Sequence, residues 1–374
     1  MSTVPYVSFV TYGRNDGYTP SYARRVSRAT SCLAAQLERA KIDSEIILSE
    51  WNPVQDRPLL LDTLTVPKTL RHVAICGIVV GRQYHGRLAG SQERGIHVGE
   101  AANVGIRRAR GQFTTPKASD TLFSQGVIDM IARRDLDPNT MYRIDRHDVS
   151  IDDNSIWDLE DDALLSILES MRSSPHSLIQ QSRHWGLRDL HTNACGDFTL
   201  MHSSLWQLLR GHARDDTVLS LDLDSLLMHA AAAHGVCERR WPASCRVFKP
   251  LHGNLNNVRI NQVWQPWQRA LDKFLSEKIG EAAALWARTS LDYPRREVRG
   301  VTSIIGPSIE RNFVRPARSW ARGHAPAPTQ PSNWGLADEP LVLRNLCRAD
   351  WESENGNVVH ETPVADLVEP RSVA

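Results

Sequence analysis

An α/β fold with a mostly parallel central sheet is predicted by three observations. Residues 6–11 (YVSFVT) and 44–48 (SEIIL) are short apolar runs rich in β-branched and aromatic residues, each followed by a polar, turn-rich loop. Between them, residues 20–40 place Ala23, Val26, Ala29, Leu33 and Leu37 on one side of a helix. A strand–helix–strand unit of this kind has parallel strands and opens both following loops on the same sheet edge. The third observation is that the pattern repeats: an apolar run at 72–80 (HVAICGIVV), a helix over 99–110 and a short strand over 112–115.

The stretch 97–124 is the most informative. Val98, Ala102, Ile106 and Ala109 recur at helical spacing. Gly111 stands where a helix C′ glycine belongs, after Arg107, Arg108 and Arg110. Pro116 cannot donate to a sheet ladder, so the strand is expected to end there. Asp120 then lies just past a carboxyl-terminal strand end, where open α/β sheets bind ligands.

Further along, residues 122–133 read as a helix and 139–144 as a strand leading into Asp145-Arg146-His147-Asp148. Residues 150–163 read as a solvated acidic loop, 194–201 as a short buried strand, 205–210 as a helix closed by Gly211, and 246–248 as a strand. A helix begins near residue 220 and runs to a cap at Gly235. Over 262–289, Trp264, Trp267, Leu271, Phe274, Leu275 and Ile279 make the buried stripe of amphipathic helices. The chain is thus divided into a main domain over 1–252, a helical extension over 253–315, and a linker with a partly disordered tail over 316–374 that carries the motif Trp334-Gly335-Leu336-Ala337-Asp338.

At 374 residues, 41% hydrophobic and 23% charged, the composition is that of an ordinary globular protein large enough for a sizeable core. A net charge of +1 makes no global electrostatic case for nucleic acid. No apolar run reaches the ~18–20 residues of a membrane span, though peripheral contact with a membrane stays open. The opening MSTVPYVSFVTYG has neither a basic n-region nor a long apolar h-region, so it reads as a first strand rather than a secretory signal. Six cysteines without zinc-like spacing fit reduced thiols in a cytoplasmic protein. No GxGxxG follows the first strand, and neither a P-loop nor a GxSxG elbow is present, which excludes the usual dinucleotide, Walker-type and α/β-hydrolase readings.

The helix motif Asn103-Val104-Gly105-Ile106-Arg107-Arg108-Ala109-Arg110-Gly111, the strand after it and the acid at Asp120 resemble the nucleotide-sugar-binding half of GT-A glycosyltransferases of the family-2-like kind. The resemblance covers roughly residues 5–252, and the Trp-Gly-Leu-Ala-Asp stretch is similar to the carboxyl-terminal extension of some relatives. It implies a three-layer, Rossmann-like GT-A domain and transfer of a sugar from a nucleoside-diphosphate sugar to a hydroxyl acceptor (glycan, lipid-linked or small molecule), with inversion. By position it implies donor contacts from Thr11, Asn15, Glu50 and Asn103, and a Mn²⁺ or Mg²⁺ ion held by Asp120 and by His252. The family motif is Asp-x-Asp; here the triplet is Ala118-Ser119-Asp120, so its first acid is absent.

Glycosyl transfer needs a carboxylate to take the acceptor proton. By the same resemblance, an acid opening a helix about three turns before a glycine is the base. Asp224 lies 11 residues before Gly235 and fits better than Asp222, and both acids are also placed to stabilise a helix N-terminus. Asp197, in Gly196-Asp197-Phe198, is the candidate for holding an acceptor hydroxyl, with a buried acid satisfied by backbone as the alternative. Two other readings stay open: a catalytically impaired nucleotide-sugar-binding protein, and a nucleotidyltransferase of the same fold. A nucleotidyltransferase would carry a Gly-rich cationic loop after the first strand, and residues 12–17 (YGRNDG) hold one cation.

Overall fold

The computed structural model describes residues 4–17, 19, 21–67, 70–92, 95–149, 151, 154–171, 190, 195–214, 223–250, 315–324, 326, 328 and 330–347. The expected helices over 262–289, the 253–315 extension bar its last residue, Asp222 and His252 lie outside these residues.

The main sheet is built on the predicted unit. β1 (Val7–Gly13) pairs in parallel with β2 (Ser44–Trp51) across α1 (Tyr22–Arg39), and β2 pairs in parallel with β3 (Val73–Val80). After the single turn α2 (Arg82–His85), α3 (Val98–Arg108) leads into β4 (Phe113–Ala118), parallel to the other side of β1. The spatial order is therefore β3-β2-β1-β4 in parallel, with antiparallel strands added at both edges, described below. Every residue of β2 and β3 is buried. That is the reason β3 reads as a near-continuous apolar run rather than an alternating one, and β2 carries Ile46, Ile47 and Leu48 in succession at its centre.

The two faces separate by strand alternation. Phe9 and Ile46 join Leu33 and Leu37 of α1 in one cluster. Val10 and Ile47 join Ala101, Ala102 and Val104 of α3 in another. Helix, sheet, helix is the expected three-layer arrangement. Gly105 lets α3 lie close on the sheet: a Cβ there would stand 2.5 Å from Val10 Cγ1 and 3.1 Å from Ser49 Oγ.

Several local expectations are corrected. β4 continues through Pro116, which sits opposite Val10, instead of stopping before it. Its outer neighbour β8 (Met201–His202) pairs only with Phe113 and Thr114, so among the described strands the outer side of β4 at Pro116 has no ladder bond to lose. Gly111 is not a left-handed cap, since α3 ends in extended backbone at Ala109. Its function is close approach: a Cβ would meet Ser8 N at 2.7 Å and Val7 C at 2.8 Å. The segment 122–133 is a two-residue strand β5 (Leu122–Phe123) followed by α4 (Gln125–Ala132). After β6 (Thr140–Arg143), the polar run that it leads into is itself a strand, β7 (Asp145–Val149). The acidic stretch folds as a 3-10 turn over Asn154–Asp158 and α5 (Asp161–Ser170), with Ile156, Trp157 and Leu164 buried. Its acids Asp158, Asp161 and Asp162 ion-pair with Arg24, Arg28 and Arg39 of α1, which explains so much charge with so little apolar periodicity.

The second half supplies α6 (Ser203–Leu209), α7 (Leu223–Ala233), β9 (Cys237–Arg240) and β10 (Arg246–Pro250). The strand expected over 194–201 is reduced to β8 and a bridge between Leu200 and Tyr142. β10 pairs antiparallel with β5 and parallel with β7, and β9 pairs with β6.

The carboxyl-terminal segment is not simply a linker. α8 (Arg315–Ala321) shares a cluster with Leu223 and Leu226 of α7 through Ala317. Trp334 is buried on α3, where the Arg107 guanidinium lies 5.1 Å from its ring. Arg108 donates to the carbonyls of Gly335 (2.7 Å) and Leu336 (2.8 Å). β11 (Leu343–Asn345) then pairs antiparallel with β3 and covers that sheet edge. Arg107 and Arg108 at the end of α3 thus anchor the tail, while Arg110, just beyond the helix, binds the buried Glu45.

Candidate functional site

Parallel pairing brings the ends of β1, β2 and β4 to one edge, with Gly13 beside Glu50 and Tyr12 beside Ala118. Glu50 and Asp120 accordingly lie on the same side of the sheet. Their side chains, however, do different things.

Glu50 is wholly buried. Its two carboxylate oxygens accept from the backbone amides of Leu60 (2.6 Å) and Leu61 (3.1 Å). The expected donor contact Glu50 thus closes the loop after β2 onto the strand. Burial raises its pKa from 4.5 to about 7, against the opposing effect of the two amides. Asn103 is also diverted: its amide donates to His212 O (2.9 Å) and accepts from His212 N (2.7 Å) in the interior between α3 and the turn after α6. Gly211, with φ +69°, leaves room for that amide. Thr11 lies inside β1, its hydroxyl enclosed. Asn15 is on the loop beyond β1 and donates to Pro58 O (2.9 Å). The structure therefore gathers Asn15, Glu50 and Asp120 at one edge but takes Asn103 and Thr11 into the packing.

Asp120 is the centre of the charged edge. It is 1% exposed; Oδ1 accepts from Lys249 Nζ at 2.6 Å and Oδ2 from Arg25 Nε at 3.2 Å. The register explains the first pair: Leu122 lies opposite Phe248, so the residue after Phe248 falls beside the residues just before Leu122. The second comes from α1, where Arg25 also donates to Thr19 Oγ1 (2.8 Å). Tyr22, one turn earlier, holds the same loop through Ser119 Oγ (2.7 Å). Lys117, fully buried at the end of β4, donates to Ser119 O (3.2 Å) and lies within electrostatic reach of Asp120, Lys249 and Asp197. Burial pushes its pKa down to about 7, partly offset by Asp120.

The edge continues toward the second half. Asp197 accepts from Arg146 of β7 at 2.7 Å, and Arg146 also pairs with Asp148 at 2.9 Å. Arg143, buried in β6, donates to Thr199 Oγ1 (3.1 Å) and lies within reach of both Asp197 and Asp224. Asp224 sits in the first turn of α7, half-buried as a residue but with its carboxylate turned inward: a Cβ on Gly196 would stand 2.8 Å from Oδ2. It accepts from its neighbour's amide, Ser225 N, at 2.9 Å. Burial raises its pKa above the ordinary 3.8, although the Cys195 thiol, the amides of Ser225 and Gly196, and the Arg143 charge all favour the ionised form.

The residues do not fit a divalent ion at Asp120. Both of its oxygens bind cations, and a third basic group, Lys117, lies nearby. Among the described residues no three His, Cys, Asp or Glu side chains stand together as a ligand set. A hard divalent cation takes six or more oxygen ligands and is repelled by such neighbours. In the structure the expected metal ligand Asp120 is engaged in ion pairs with Lys249 and Arg25.

Sequence reasoning missed Arg25, Lys117, Lys249, Arg143 and Arg146. Two carried a readable signal: Arg25 falls on the buried face of α1 beside Tyr22, Val26 and Ala29, and Lys117 occupies a strand position where a charge needs a partner.

No protein-family model matches the chain, and no curated protein matches it significantly. Among solved structures, it is similar to S. aureus TarS residues 1–349 in complex with UDP, with 12% identity, a TM-score of 0.41, and 85% of this chain and 92% of that chain covered. The same fragment in complex with UDP-GlcNAc gives 11% identity and 0.40 over the same shares. The catalytic domain of Drosophila β1,4-galactosyltransferase 7, complexed with xylobiose, gives 10% and 0.32, with 63% of each chain covered. No helix among the described residues is long and apolar enough to cross a membrane.

Proposed function

We propose that this chain is a glycosyltransferase that moves a sugar from a nucleoside-diphosphate sugar to a hydroxyl acceptor, with inversion. The observation that supports this best is the continuous line of charge running from Arg25, Asp120, Lys117 and Lys249, through Asp197 and Arg146, to Arg143 and Asp224. One end offers cations for a departing diphosphate, and the other offers a carboxylate with a raised pKa.

In the transfer, the bond between the anomeric carbon and the diphosphate oxygen breaks, and its electron pair leaves with the diphosphate. The acceptor oxygen forms the new bond from the opposite face and gives its proton to Asp224. A base need only be modestly stronger than an ordinary carboxylate, which is the direction in which burial moves Asp224. Asp197, held by Arg146, is placed to accept from an acceptor hydroxyl.

The test is a thermal-shift screen against UDP-, GDP- and dTDP-sugars, with and without Mn²⁺, followed by assays of sugar-nucleotide hydrolysis and transfer. Stabilisation by one nucleotide family together with turnover is the expected result. Binding without turnover would favour the impaired, binding-only reading. Absence of any response would reject sugar-nucleotide chemistry.

A further inference from the structure

We infer that the donor's diphosphate is held by Lys249 and Arg25, backed by Lys117, in place of a divalent metal ion; this rests on the sugar-nucleotide reading above. Arg25 of α1 and Lys249 of β10 both bind the carboxylate of Asp120, and Lys117 of β4 lies within electrostatic reach of it. Further along the edge, Asp197 and Asp148 pair with Arg146, and Arg143 lies within reach of Asp197. Asp120 is thus met by cationic groups from three elements at the edge where the parallel strands end.

A second observation separates an anion site from a metal site. In a metal site the protein brings carboxylates together and the phosphates complete the shell. Here the triplet Ala118-Ser119-Asp120 supplies one acid, and the register of β5 against β10 places an ammonium group 2.6 Å from it. A divalent ion entering there would displace Lys249 and Arg25 and sit beside Lys117 with a single carboxylate. A diphosphate, with two or three negative charges and several acceptor oxygens, matches the same groups without displacing any cation from the edge. Asp120 then orients Lys249 and Arg25 and does not itself touch the ligand; it is a positioning residue. When the anomeric bond breaks, the charge that gathers on the leaving phosphate is stabilised by ammonium and guanidinium groups already in place.

The experiment uses the full chain and inorganic pyrophosphate, measured by calorimetry in excess EDTA and again in Mg²⁺ or Mn²⁺. Equal or tighter binding in EDTA is expected. Lys249→Gln should weaken it by about 10–100-fold, the value of one charge-assisted hydrogen bond, and Lys249→Arg should restore most of it. A melting curve for each variant checks folding, and the arginine variant keeps the test valid where glutamine destabilises the chain. Pyrophosphate binding that requires the metal and is lost in Asp120→Asn overturns the inference while leaving the sugar-nucleotide reading intact. Metal-independent binding that Lys249→Gln leaves unchanged also overturns it. If neither pyrophosphate nor any nucleoside-diphosphate sugar binds under either condition, both fall together.

Discussion

Glu50→Gln isolates the energetic consequence of burying a carboxylate at the end of β2. The wild-type group has an ordinary value of 4.5 when the chain is unfolded and about 7 when folded. A group whose folded pKa is raised contributes stability that is fully present below the unfolded pKa and is lost as pH rises through the folded one. Between pH 4.5 and 7 the folded chain therefore holds more protons than the unfolded chain, and Glu50 makes stability fall as pH increases. At ~1.4 kcal/mol per pH unit, that interval corresponds to about 3 kcal/mol. Glutamine removes the titration. It keeps one acceptor for the amides of Leu60 and Leu61 but turns an NH₂ toward the other, at a cost of about 1–3 kcal/mol that does not depend on pH. Relative to wild type, the variant should be least stable near pH 4.5 and should gain about 3 kcal/mol by pH 8. Urea unfolding of both proteins at several pH values measures this, and their difference cancels all other titrating groups. A stability difference that stays constant from pH 4.5 to 8 would refute the assignment.

Asp224→Asn, close to isosteric, should retain the fold and donor binding yet lose about 10²–10⁴-fold in turnover; the acid limb of the wild-type kcat/KM profile should lie above the ordinary carboxylate range, and full activity in the variant would discard the base. Gly111→Ala should lower stability by about 1–3 kcal/mol, because its methyl group meets the backbone of Val7 and Ser8; an unchanged melting temperature would contradict the close approach. Trp334→Ala should cost about 3–5 kcal/mol and expose the segment after it to limited proteolysis, since that ring is buried on α3 under Arg107; wild-type protease resistance would refute the docking.

Apart from the single turn α2, the order of strands and helices from residue 6 to residue 118 was legible in the sequence because each of those elements is long enough for its period to show. Buried parallel strands leave apolar runs, and α1 and α3 leave stripes at helical spacing. Short strands left no such trace. β5, β7 and β11 are two to five residues long, and β7 is mostly polar, so pairing with β10 rather than local preference makes it a strand. The positions of Asp120 and Glu50 at one sheet edge followed from chain order, since parallel strands put their following loops together. What each side chain does there did not follow. Asn103 has the right neighbours in sequence, but α3 turns it onto the backbone of His212. Lys249 reaches Asp120 across 129 positions because of the β5–β10 register, and Arg25 reaches it because of how α1 lies on the sheet. Periodicity determines which residues are buried and which strands run together. Partners brought together from distant segments decide whether a buried acid caps a loop, takes a proton or sits among cations, and the tertiary structure alone supplies those partners.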